Sequence, residues 1–404
     1  MSGQQVSFDD VLAARELLAA VTVRTPVLPS RVLSDLAAGP VHLKCENLQR
    51  SGSFKARGAY VRIAGLTERE RARGVVAASA GNHAQGVALA AGLVGAKSTV
   101  YMPEGAALPK VEATLGYGAE VRLGGRSVEE ALARAHEHAA ETGAVVIHPF
   151  DHPDVIAGQG TIGVEILDQL PDTATIVVPI GGGGLAAGLA LAAKSLRPGI
   201  TVVGVQAERA AAYPPSLAAG RPVLLEPYPT IADGIAVGRP GDLPFELIHY
   251  LVDKVVTVTE EEISKALVLC LERAKQVVEP AGAVGVAALM AHPRAFEPPV
   301  VVLLSGGNID PMLLARVLRR GLAAAGRYLA VRVRLRDRPG ALAALLTDLA
   351  ALRVNVLDIV HERVGSGLDV DEVEVQLQLE TRGPDHAEDA LAALRRDGHR
   401  LVLG

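Results

Sequence analysis

The chain has 404 residues, more than one domain usually holds, with 49 % apolar and 21 % charged residues and no tryptophan. A net charge of −5 and a pI near 6.1 exclude the concentrated basic surface that a nucleic-acid or membrane partner would favour. Two distant cysteines, Cys45 and Cys270, point to a reducing cytoplasm, and the polar, acidic stretch Met1 to Asp10 does not read as a secretory signal.

Taken in chain order, candidate strands are Val75–Ala78, Ser98–Met102, Glu120–Leu123, Val145–His148, Thr175–Pro179, Thr201–Gln206, Val255–Val258 and Val300–Leu304. Several are continuous apolar runs, the pattern of strands covered on both faces. Alanine-rich helical segments separate them, as in Ser127–Thr142, where Val128, Ala131, Leu132 and Ala135 recur at helical spacing. The alternation predicts open, mostly parallel sheets with helices on both faces, and ligands beyond the carboxyl ends of the strands. Thr175 to Ala193 carries no charge, but Pro179 and four glycines interrupt it, so it reads as strand, loop and helix rather than a membrane span. After Gly326 the pattern changes. Tyr328–Leu335 alternates, the turn Asp337-Arg338-Pro339-Gly340 leads into a helix Ala341–Arg353, strands Val354–His361 and Val370–Thr381 follow, and a helix Asp385–Asp397 with a strand His399–Leu403 ends the chain. This βαββαβ order predicts a small α+β domain over 326–404.

Four segments carry chemistry. Lys55 ends Ser51-Gly52-Ser53-Phe54-Lys55; buried, its amine could serve as a Schiff-base nucleophile, while a surface lysine is the plainer alternative. Ser79-Ala80-Gly81-Asn82-His83 joins a strand to a helix, where small residues let amides approach an anion; a simple capped turn would look the same. Gly181-Gly182-Gly183-Gly184-Leu185 frees successive amides for a phosphate at a helix start. Lacking a terminal Lys-Ser/Thr and the dinucleotide spacing, it suits a phosphate monoester, or else a close-packing turn. Ser305 follows the last strand, where a neutral hydroxyl could meet a ring nitrogen. An amine, a polar turn and a phosphate-sized loop are the parts needed to hold pyridoxal 5′-phosphate.

With these segments in view, residues from about Phe8 to Gly321 resemble the fold-type II pyridoxal-phosphate enzymes of the threonine dehydratase and serine racemase group. The resemblance also draws on Ala157-Gly158-Gln159-Gly160-Thr161, Ile231-Ala232-Asp233-Gly234, Glu279-Pro280 and Ser305-Gly306-Gly307-Asn308. The tail is similar to an ACT domain, through Asp337 to Leu342 and the βαββαβ order. The resemblance implies a catalytic region over 1–325, with a smaller subdomain of about 50–150 inserted between 1–49 and 151–325. It implies that Lys55 binds the cofactor covalently and removes the α-proton, Phe54 packs on its ring, Asn82 faces its phenolic oxygen, Gly181 to Leu185 hold its phosphate and Ser305 meets its ring nitrogen. Ser79, Ala80, Gly81, Asn82 and His83 would receive the substrate carboxylate. The implied reaction is loss of water and ammonia from L-threonine to give 2-oxobutanoate, and from L-serine to give pyruvate. A serine dehydratase or racemase of the same fold is the alternative. Racemases of the group carry a serine where this chain has Ala80, which has no proton to give, and a glutamate and an aspartate where it has Gln206 and Ala212; no metal site is therefore expected. The tail implies an amino-acid effector near Asp337, Arg338, Pro339, Gly340, Ala341, Leu342 and Asn355, a role in isoleucine biosynthesis and assembly as a homodimer or homotetramer.

Overall fold

The computed structural model describes residues 5–226, 229–363 and 368–402. Its strands in chain order are β1 (Val27–Pro29), β2 (Val41–Cys45), β3 (Val75–Ala78), β4 (Ser98–Met102), β5 (Glu120–Leu123), β6 (Val145–Val146), β7 (Thr175–Pro179), β8 (Thr201–Ala207), β9 (Lys254–Val258), β10 (Val300–Leu304), β11 (Tyr328–Arg336), β12 (Asn355–Glu362), β13 (Glu372–Glu380) and β14 (Arg400–Val402). They form three sheets, ordered β1-β2-β10-β7-β8-β9, β5-β4-β3-β6 and β12-β13-β11-β14. The predicted end of the last strand, Leu403, lies outside the described residues.

The first two sheets belong to one compact unit, Met1–Leu314, and the third to another, Ala315–Gly404. The division falls inside the helix Pro311–Ala324 instead of after it. A helix that runs through a junction shows no change of composition there, so the sequence places the change at its end.

In the large sheet every pairing is parallel except β1 with β2. The strand β10 lies between β2 and β7, and all five of its residues are fully buried. The sheet is covered by the helices Phe8–Leu18, Pro153–Gln169 and Gly184–Leu196, whose Val11, Ile156, Ile162, Ala186 and Leu189 share its core. The small sheet is wholly parallel and its strands lie in the chain between β2 and β7, an insertion into the large one. None of the described helices is long and apolar enough to cross a membrane.

The sequence missed β1 and β2, and it extended β6 two residues too far. In β2, His42 and Lys44 break the apolar run, yet Lys44 is fully buried. Its Nζ donates to the Thr25 carbonyl at 2.8 Å, to Glu165 at 2.6 Å and to Gln169 at 2.9 Å. These partners are remote in sequence, so nothing local marks the strand as internal. In the C-terminal unit β11 alternates as predicted. Val331, Val333 and Leu335 join Leu345, Leu349 and Leu394 of the two helices in the core. Arg332 and Arg334, on the opposite face, pair with Glu374 of β13.

Candidate functional site

Sheet order brings three of the four chemistry-bearing segments to one edge. β2, β10 and β7 are parallel neighbours, so the segments after them emerge side by side: Ser53 to Lys55, Ser305 and the glycine loop. The fourth, Ser79 to His83, leaves the carboxyl end of β3 in the small sheet. All four line one cavity of about 430 Å³. Phe54, Lys55, Ser79, Ala80, Gly81, Asn82, His83, Gly181, Gly182, Gly183, Gly184, Leu185 and Ser305 all face it.

Lys55 is the first residue of the helix Lys55–Ala64. The turn before it needs left-handed backbone at Ser51 (φ 59°) and Gly52 (φ 70°). It is held to the sheet by the Phe54 amide, which donates to the Ser305 carbonyl at 3.2 Å. The Lys55 Nζ donates to the Pro149 carbonyl at 2.8 Å and lies 5.2 Å from the Phe54 ring centre. Deep placement behind the cavity wall removes water from the ammonium and lowers its pKa to about 8, with Glu279 opposing the shift. Two residues on, Arg57 anchors the same helix from its other face. Its guanidinium grips Glu46 through Nε at 2.9 Å and Nη2 at 2.8 Å, and Glu165 through Nη1 at 2.6 Å.

The glycine loop is both a packing turn and an open donor set. Gly183 has φ +103°, and a Cβ there would lie 1.9 Å from the Tyr213 hydroxyl; one on Gly182 would meet the Phe150 ring at 2.4 Å. The Ile180 amide donates to Val205 and that of Ala187 to Gly183. Among the described residues, the amides of Gly181 to Leu185 between them have no protein acceptor. They open the helix Gly184–Leu196, so peptide dipoles add positive potential where they converge. Unpaired amides at a helix start, a lysine lining the same cavity and a Ser305 Oγ with no protein hydrogen bond among the described residues fit a phosphorylated pyridine aldehyde. Gly181 to Leu185 would hold its phosphate, Lys55 its carbonyl carbon and Ser305 its ring nitrogen.

Asn82 starts the helix Asn82–Val94 and is fixed from two sides. Its Nδ2 donates to Glu279 Oε1 at 2.6 Å, and its Oδ1 accepts from Asn308 Nδ2 at 2.8 Å. His83 turns its ring away from solvent, with Nε2 2.8 Å from the Ile147 carbonyl. Burial, and then repulsion from Lys55, push its pKa down to about 3. It is therefore neutral, and Nε2 must carry the hydrogen because a carbonyl only accepts.

Glu279, quoted in the sequence only as part of the resemblance and given no role there, belongs to the same candidate site. It precedes the helix Pro280–Ala291, lines the cavity and faces Asn82 and Gly306. Burial, followed by the charge of Asp233, raises its pKa to about 7. Its signal in sequence was a glutamate before a helix-opening proline, a pattern common at helix starts. Lys110 and Asp233 also line the cavity and pair at 2.8 Å.

In the C-terminal unit a second cavity, of about 310 Å³, is lined by Asp337, Arg338, Pro339, Gly340, Ala341 and Leu342, together with His361 and Arg363. Asn355 is not part of it, contrary to expectation. Register explains why: Asn355 pairs with Glu380, while Glu362 pairs with Glu374, at the end of β13 that adjoins Arg336. At roughly 3.3 Å per residue, Asn355 sits about 20 Å along β12 from His361. Its amide donates to Glu380 at 3.1 Å.

Comparison with known proteins agrees with this geometry. The model of the pyridoxal-phosphate dependent enzymes matches residues 19–306, and that of the ACT domain residues 330–396. The chain is 46 % identical to the L-threonine ammonia-lyase of Thermotoga maritima over 398 residues, 98 % of this chain and 99 % of that protein. The crystal structure of the T.th. threonine deaminase superposes with a TM-score of 0.72 at 44 % identity, covering 75 % of this chain and 99 % of that one. Maize serine racemase superposes with a TM-score of 0.74 at 36 % identity, over 79 % and 98 %.

Proposed function

Because this chain belongs to the pyridoxal-phosphate dependent enzymes and ends in an ACT domain, we propose that it is an L-threonine ammonia-lyase, converting threonine to 2-oxobutanoate and ammonia and serine to pyruvate. The observation that carries the reading is the convergence of Lys55, the free amides of Gly181 to Leu185 and Ser305 on one cavity. Near-full-length similarity to a protein named for this activity supports it.

When bound, the cofactor supplies an electron sink for the negative charge left at the substrate α-carbon. The protein's own groups do the rest. Lys55 would hold the cofactor's carbonyl carbon, and its amine, with a pKa near 8, is suited to take the α-proton at its Nζ. The hydroxyl of Ser305, which lines the cavity, would offer the ring nitrogen a hydrogen bond without a charge, an arrangement that would favour loss of the β-hydroxyl over amino-group transfer. Asn82, clamped between Glu279 and Asn308, keeps its amide aimed into the site. The turn from Ser79 to His83, at the start of the helix Asn82–Val94, offers amides to the substrate carboxylate. Ala80 lines the cavity and has no proton to deliver to the opposite face of the α-carbon, which argues against sustained racemisation.

The second cavity is proposed as an amino-acid effector site, with Asp337, which accepts from Arg363 at 3.1 Å, able to meet an ammonium and Arg338 among the cations able to meet a carboxylate. Feedback by a branched-chain product, a place in isoleucine biosynthesis, a cytoplasmic location and a dimer or tetramer belong to the same proposal. The test of activity is keto-acid release from threonine and serine by protein loaded with cofactor, with chiral analysis of recovered serine. Racemised serine without keto acid would favour the racemase alternative.

A further inference from the structure

Across the cavity mouth, Lys110 Nζ meets Asp233 Oδ2 at 2.8 Å. Lys110 stands in the helix Leu108–Gly116, between the small-sheet strands β4 and β5. Asp233 opens the short turn Asp233–Ile235, between the large-sheet strands β8 and β9. The two groups therefore join opposite walls of one site. The Lys110 side chain is 15 % exposed and that of Asp233 56 %. With Asp233 more than half exposed, water competes for its carboxylate, so the pair contributes little to stability.

The Lys110 ammonium has a second anion site within reach. A Cβ built on Gly81 would lie 3.8 Å from Nζ, and among the described residues, apart from the adjoining ones, no other heavy atom comes within 4 Å of that point. An atom resting on Gly81 from the cavity side would thus meet the lysine and little else. Gly81 is the middle of the turn whose amides open the helix Asn82–Val94. The Gly81 amide itself donates to Ser79 Oγ at 3.1 Å, but those of Asn82 and His83 have no acceptor among the described residues, so a carboxylate seated there would gain these two amides and the ammonium together.

From this geometry we infer that Lys110 is a specificity-determining residue that trades anions: it is held by Asp233 in the free enzyme and passes to the α-carboxylate of the incoming amino acid. Asp233 acts as the internal competitor that keeps the ammonium placed at the mouth. A ligand without a carboxylate leaves the pair intact and gains nothing from Lys110, so the exchange selects amino acids over amines. The inference rests on the amino-acid-lyase reading, because it requires the substrate carboxylate to lie on Ser79 to His83.

The two partners should respond with opposite sign, which a structural brace would not produce. The experiment measures, by calorimetry on cofactor-loaded enzyme, binding of 2-aminoisobutyrate, an amino acid with no α-proton to lose, alongside KM and kcat for threonine. Lys110→Met should weaken binding and raise KM about tenfold, the scale of one charge-assisted contact, with a smaller change in kcat. Asp233→Asn should tighten binding and lower KM, and Lys110→Arg should restore most of what the methionine loses. Threoninol, which lacks the carboxylate, should bind wild type and Lys110→Met alike. Equal weakening by Lys110→Met and Asp233→Asn, or no effect of either, would overturn the inference. Wild-type turnover of threonine is read in the same series. Opposite-signed binding shifts without any turnover would leave the exchange standing and refute the lyase reading instead.

Discussion

Replacing Arg57 with methionine should destabilise the catalytic unit severely while leaving its surface untouched. The guanidinium is 1 % exposed and makes five hydrogen bonds: two to Glu46, two to Glu165 and one to Thr161. Glu46 is fully buried and Lys44, the other cation of the cluster, is fully buried beside Glu165. With Arg57 gone, two carboxylates share one lysine, and Glu46 loses its direct ionic partner. Breaking a buried pair from one side costs about 3–5 kcal/mol, because the remaining charge stays desolvated. Spread over the 314 residues of the unit, at roughly 2.1 cal/mol/K of unfolding entropy per residue, this lowers the melting temperature by about 5–8 °C. Circular dichroism melts report it, since the chain has no tryptophan. Adding Glu46→Gln to Arg57→Met should recover part of the loss by removing the stranded charge. A melting temperature within about 1 °C of wild type, or no recovery in the double variant, would refute the claim that this cluster holds the Lys55 helix in place.

Other expectations follow from the same geometry. Gly183→Ala places a side chain on backbone at φ +103° and against the Tyr213 hydroxyl. The strain, about 1–2 kcal/mol before any clash, should lower cofactor affinity at least about tenfold in titrations of apoprotein. A variant that binds as tightly as wild type would show that the loop tolerates a side chain. Lys55, with a pKa lowered to about 8, is mostly protonated below that value and a free amine above it. The initial rate of Schiff-base formation by apoprotein should therefore rise with pH through a midpoint near 8; a midpoint at the ordinary lysine value would contradict the burial argument. Asp337→Ala should abolish any shift in threonine KM produced by isoleucine or valine, measured by keto-acid release, and an unchanged response would move the effector away from the second cavity.

Much of the site was legible because its parts are local. A strand, a run of glycines and a helix start sit within ten residues at Thr175 to Gly184, and physics assigns each piece without its neighbours. The same holds for Val75 to His83. What sequence did not reveal depends on meetings across the chain. Lys44 reads as a solvent-facing residue until Glu165 and Gln169 are brought to it. Glu279 joins the candidate site only because the segment after β10 carries Gly306 against it and the small sheet delivers Asn82. Asn355 was placed at the effector site by family resemblance, and only the register of β12 on β13 shows it at the far end.

The claim on which the rest depends is that Lys55 and its cavity perform cofactor-dependent elimination on threonine. Purified protein loaded with pyridoxal phosphate and given L-threonine should release 2-oxobutanoate and ammonia in equal amounts, and Lys55→Ala should lose both the visible Schiff-base band and all turnover. Keto-acid release that survives in Lys55→Ala, or a wild-type band without any keto acid from threonine or serine, would contradict it.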